Sequence, residues 1–177
     1  MIVLFLIVNS LCVWRFPDRD IKDIFGGDAY QTNYVSVSQE KQVVIEKRLG
    51  QKLDPDEVEF KFYPVFKKGK EIGVVSTHLS KGQYGAIEVV VALLVDSVKK
   101  TTRVKSVRIQ RDREKARAAL RNEKFLNQFV DKTPLDSLKI GRDIKSAQPG
   151  AEKSSQAVAF AVKKLLIVFD ELVLKKL

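Results

Sequence analysis

The residues best suited to chemistry lie in one short run, Pro149-Gly150-Ala151-Glu152-Lys153-Ser154-Ser155-Gln156-Ala157-Val158. A small, flexible Gly150-Ala151 step feeds the hydroxyls of Ser154 and Ser155 into a helix N-terminus. Unpaired amides and the helix dipole make such a place favourable for phosphate. The same run also suits a structural role, with Ser154 or Ser155 as N-cap and Gly150 relieving a tight turn. Two upstream residues are further candidates. Glu114, between Arg113 and Lys115, is most simply a salt-bridged helix residue but is also placed to serve a site. Tyr84, between Gly82 and Gly85, is placed either to stack on a ring or to fill a turn. His78 falls in the alternating run Val74, Ser76, His78 and reads as a sheet-surface histidine. No Ser-His-Asp constellation, Walker loop or paired-carboxylate spacing stands out.

The elements that must hold these residues can be read from periodicity and punctuation. Phe16-Pro17-Asp18 opens a short helical turn that stops at Gly26-Gly27. Ser36-Val37-Ser38-Gln39 has the form of a capping box, and Val44, Ile45 and Leu49 follow at helical spacing before Gly50. From Val58 the period becomes two, with Val58, Phe60 and Phe62 alternating with Glu59 and Lys61. A hairpin turn at residues 67–70, a strand from Ile72 to His78, a break at 80–85 and a strand from Ile87 to Val95 come next. A last strand alternates Val104, Ser106 and Arg108 with Lys105, Val107 and Ile109. Four strands joined by short loops imply an antiparallel sheet. The pattern from Asp112 to about Val130 reads as one helix, and a loop follows to about Pro149. The last helix starts near Ser154 and is apolar over most of its circumference, so it should be packed on more than one side. The fold class is α+β: an antiparallel sheet of about four or more strands packed with helices, the C-terminal helix buried.

A chain of 177 residues, 45% hydrophobic and 31% charged, supports one buried core and is too short for two full domains. Its 32 Lys and Arg against 22 Asp and Glu leave a net charge of +10, which favours a polyanion, an anionic membrane surface or an acidic protein as partner. The single Cys12 excludes an intrachain disulfide and a Cys-rich metal site, and the single His78 argues against a His-based metal cluster. Residues 1–14 are apolar apart from Asn9 and Ser10. Three readings of this segment stay open: a signal sequence begun late, a truncated anchor helix, or an element of the fold. The first two imply an extracytoplasmic location, periplasmic or membrane-anchored facing outward.

The run at 149–158 also resembles a known family. It is similar to the FMN-binding domain of flavin-carrying subunits in the Rnf and sodium-pumping quinone reductase complexes, where the segment reads Ser-Gly-Ala-Thr-x-Ser/Thr-Ser-x-Ala-Val and the Thr carries FMN through a phosphoester bond. Residues 81–85, Ile87 to Val95, Val104 to Glu114, Phe125 to Phe129 and Ile140 to Ile144 extend the resemblance over roughly 55–177. It implies a helical N-terminal segment at 15–54 ahead of an FMN-binding-like domain at 55–177. The cofactor-binding candidates carried over are Gly150, Ala151, Glu152, Ser154, Ser155, Glu114 and Tyr84.

Two departures bear on the cofactor. Glu152 stands where the family has the acceptor Thr, so covalent FMN is not expected, and its charge would repel a phosphate. Lys115-Ala116-Arg117-Ala118-Ala119-Leu120 replaces the family's Thr-Pro-Gly-Leu-Gly run with strong helix formers. Either FMN binds non-covalently around Ser154 and Ser155, or the fold persists without flavin and Glu152 occupies the anion-favouring helix end. Both imply an electron-transfer or accessory subunit of a membrane redox complex rather than a stand-alone enzyme. Residues 99–124 hold eleven Lys and Arg against three Asp and Glu, a local excess of +8 that marks a docking surface for an acidic partner. A nucleic-acid or other polyanion-binding module is the alternative, less favoured because interleaved aromatics and a recognisable motif are missing.

Overall fold

The structure, a computed structural model, describes residues 17–27 and 29–176; the expectations for residues 1–14 lie outside them. Helix α1 (Asp18–Phe25) ends at Gly26, whose left-handed conformation closes its last turn. Strands β1 (Ala29–Tyr30) and β2 (Asn33–Ser36) follow, then helix α2 (Gln39–Leu49). The N-cap of α2 is Ser38, which accepts from the Lys41 amide at 3.3 Å; the capping box expected from Ser36 is replaced by this single cap two residues on, because Lys41 at the third helical position cannot accept in return. Four long strands come next: β3 (Glu59–Lys67), β4 (Lys70–Lys81), β5 (Ala86–Asp96) and β6 (Thr101–Arg111). The tight turn joining β3 to β4 places Lys68 and Gly69 both at positive φ, the twist that suits a two-residue hairpin.

The six strands form one antiparallel sheet in the order β1-β3-β4-β5-β6, with β2 also paired to β3. Helix α5 (Glu152–Leu172) lies across one face. Its Val158, Val162, Leu165 and Phe169 pack with Val74 of β4, Val89, Val91 and Leu93 of β5 and Val104, Val107 and Ile109 of β6. The alternation expected in β6 shifts because its pairing with β5 slips between Ala92 and Leu93, which brings Val104 and Val107 to the same face. A second, smaller core on the opposite face joins Ile21 of α1 to Tyr63, Val65, Val75, Val90 and Ala92. Covered on both sides, β5 is buried from Ile87 to Leu93, and apart from Glu88 its sequence there is wholly apolar.

Helix α2 packs on the outer side of α5, which explains the wide apolar circumference of α5. Arg48 of α2 bonds Asp170 and Glu171 of α5, both at 2.5 Å, and Lys41 reaches Glu171 at 3.2 Å. The continuous helix expected over 112–130 is absent. Two short helices stand there, α3 (Arg117–Leu120) and α4 (Glu123–Leu126), followed by a 3-10 turn at Asn127–Phe129. Asn122 breaks the run by capping α4, accepting from the Lys124 amide at 2.9 Å. His78 is not on the sheet surface; it is buried near Glu57 and Lys164.

Candidate functional site

Three of the candidate residues converge although 30 and 40 positions separate them. Glu114 follows β6 and turns inward, where its carboxylate is buried. One oxygen accepts from the Tyr84 amide at 2.9 Å, and the other accepts the hydroxyl proton of Ser154 on the first turn of α5. The backbone delivers this geometry on both sides. Gly82 donates to the Gly85 carbonyl at 2.7 Å and closes the turn that carries Tyr84. A Cβ on Gly82 would stand 2.4 Å from the Glu114 carboxylate, so no larger residue fits without displacing it. Asp112 fixes the entry to Glu114: it accepts from the Glu114 amide at 3.1 Å while Arg121 grips its other oxygen through Nε at 2.9 Å and Nη2 at 2.7 Å. The simplest expectation for Glu114, a salt-bridged helix residue, therefore gives way to a buried link between the β4–β5 turn and α5.

Ser155 points to the other side of the helix start. Its Oγ accepts from the Ala147 amide at 3.0 Å and lies 3.2 Å from the Ser146 hydroxyl, tying the preceding loop to α5. Ala151 occupies the N-cap position, with no side chain able to cap. Glu152 turns back onto the preceding loop instead, its carboxylate accepting from the Gly150 amide at 3.1 Å. Gly150 itself has φ +80°, the left-handed backbone that a turn into the helix requires here. Tyr84 is half exposed at the turn tip, and Lys115 sits over its ring with Nζ 4.7 Å from the centroid.

Asp112 and Gly82 were not singled out in the sequence. An Asp-x-Glu directly after a basic strand and a Gly two residues before an aromatic were the available signals. The basic stretch 99–124 is also more ordered than its charge suggests. Arg103 pairs with Asp131, Arg108 with Asp20 at 3.9 Å, Arg111 with Glu88 at 3.8 Å, and Arg117 with Asp112 at 3.5 Å. Lys99, Lys100, Arg113 and Lys115 are exposed, with no carboxylate at ion-pair distance among the described residues. Among the described residues, no helix is long and apolar enough to cross a membrane and no cluster of His, Cys, Asp or Glu could hold a metal ion.

No family model and no curated protein matches this sequence. Among solved structures, the chain is similar to Shewanella oneidensis NqrC, at 13% identity and a TM-score of 0.48, over 82% of this chain and 80% of that one.

Proposed function

We propose that this chain is a flavin-free relative of the FMN-binding domain, serving as an interaction subunit of a membrane electron-transfer assembly. The observation that carries the reading is the bond from Ser154 to Glu114. A phosphate at the start of α5 needs free hydroxyl and amide donors. Here the Ser154 proton is committed to a buried carboxylate, the Ser155 hydroxyl is fully buried against the 146–147 loop, and the Gly150 amide donates to Glu152. Two carboxylates, Glu114 and Glu152, flank the place where a dianion would sit, and like charges at such range repel. The residues present do not fit the phosphate of FMN, covalent or free.

In this reading residues 55–177 are the FMN-binding-domain-like unit, 15–54 an N-terminal segment that carries α1, β1, β2 and α2, and 1–14 a membrane tether on the extracytoplasmic side. The partner is an acidic protein of the complex, met through the exposed cations Lys99, Lys100, Arg113 and Lys115. Support for a protein rather than a nucleic acid comes from the arginines, five of which already face carboxylates instead of forming a continuous phosphate-binding stripe. An absorbance spectrum of the purified protein, before and after dialysis against FMN, tests the cofactor half. No flavin band and no added mass are expected; a retained flavin spectrum overturns it. Co-purification from native membranes tests the docking half. Loss of the retained complex is expected for Arg113→Glu with Lys115→Glu, and unchanged retention sinks it.

A further inference from the structure

We infer that the outer edge of β6 receives an extended acidic segment of a partner protein as an added strand, held in the groove between β6 and α4. This deepens the docking reading above and shares with it only the sign of the partner's charge. Strand β6 ends the order of the sheet, so its outer side has no strand partner among the described residues. Exposed edges of this kind are templates for another chain unless they are blocked. The chain already uses one position in that way. The Val104 amide donates to the Lys132 carbonyl and the Val104 carbonyl accepts from the Asp131 amide, both at 2.8 Å. Farther along, the Gln110 carbonyl accepts from Arg121 at 3.3 Å, a side chain standing in for a strand.

Between these two anchors lies a groove of about 270 Å³. Val107, Ile109 and Leu126 give it an apolar lining; Arg108, with Asp20 at 3.9 Å, and Arg121, held by Asp112, bring positive charge that is already partly met, and Glu123 is acidic. The pairing of β6 with β5 slips on either side of this stretch but runs regularly from Ser106 to Ile109. Four such residues span about 13 Å, room for a short extended peptide. In strand addition the main chain supplies affinity and alternate side chains supply specificity. Acidic side chains on the incoming strand match Arg108 and the surrounding excess of residues 99–124.

The test is fluorescence anisotropy of a labelled peptide alternating Glu and Val, titrated with the full chain, with hydrogen exchange read on the complex. Saturable binding and slowed exchange at the amides among residues 106–109 that point away from β5 are expected. The same peptide N-methylated at alternate residues keeps its charge but loses strand donors, and should bind at least about tenfold more weakly. Equal affinity of the N-methylated peptide, or of a peptide alternating Lys and Val, overturns the inference, as does absence of binding at millimolar peptide. Leu126→Trp fills the groove and should abolish binding, and Arg108→Glu should weaken it by about tenfold. If circular dichroism finds Leu126→Trp misfolded, the exposed Arg108→Glu and the methylated peptide still decide. Arg113→Glu with Lys115→Glu should leave peptide binding saturable and the loss on N-methylation intact, so a failed peptide and a failed complex are separate results.

Discussion

Glu114 holds the start of α5 to the β4–β5 turn through two hydrogen bonds made in a buried place. Removing a partner there leaves the Ser154 hydroxyl and the Tyr84 amide without their acceptor, and a buried orphaned group costs about 1–3 kcal/mol. Glu114→Ala should therefore lower stability to urea by about that amount, and Glu114→Gln by less, because an amide oxygen can still accept from Tyr84. Equal losses for the two would mean that packing, not hydrogen bonding, is what Glu114 contributes. His78 makes a second residue-scale argument. Burial, with Lys164 nearby, pushes its pKa down from 6.5 to about 3. The unfolded chain then binds a proton that the folded chain refuses, so stability falls as pH drops below 6.5 and goes on falling until about 3. The slope attributable to one such proton is at most about 1.4 kcal/mol per pH unit. Thermal melts of His78→Leu between pH 6.5 and 5 should show that slope removed; an unchanged slope would assign it to other groups.

At the scale of elements, the joint between α2 and α5 depends on a few charges. Burial alone would raise the pKa of Glu171, but hydrogen bonds from Lys175, Arg48 and Lys41 overcome it and hold the group at about 2. A depressed carboxylate stabilises the fold above its ordinary value near 4.5 and loses that contribution as pH falls toward 2. Arg48→Met removes one of the three donors, so acid unfolding followed by circular dichroism should begin at a higher pH than in the unaltered chain. Elements like α2 and β3 to β6 were legible because apolar spacing, Gly50 and the 67–70 turn mark them locally. Strands β1 and β2 were not, since two and four residues are too few to carry a period; the edge of β3 makes them strands. The failure over 112–130 has a different cause. Helix propensity in Ala116 to Leu120 is strong, yet buried Asp112 draws Arg121 back toward β6 and Asn122 restarts the helix. Likewise the run at 149–158 pointed to a helix start with hydroxyls, but their true partners, Glu114 and the 146–147 loop, are set by packing between distant segments.

For the molecule as a whole, the issue is whether residues 55–177 form a unit that the N-terminal segment merely decorates. The packing argues that residues 17–36 complete the sheet. β1 and β2 both pair with β3, and Ile21 sits in the second core with Tyr63, Val65 and Val90. Phe25 lies against Gly73 so closely that a Cβ on that glycine would meet its ring at 2.4 Å. Losing these residues would uncover apolar surface on β3 to β5 and turn β3 into an open edge, which invites pairing between molecules. Ile21→Ala isolates the packing part of the effect and should cost about 2–5 kcal/mol, as expected for a large apolar side chain removed from a core. A chain starting at residue 37 should lose more than that and associate at concentrations where the longer chain is monodisperse. Urea titration with size-exclusion chromatography separates the possibilities. A truncated chain that unfolds at the same urea concentration and stays monomeric would establish 37–177 as self-sufficient. A single transition in the long chain, lost in the short one, would place the second core among the obligatory parts of the fold.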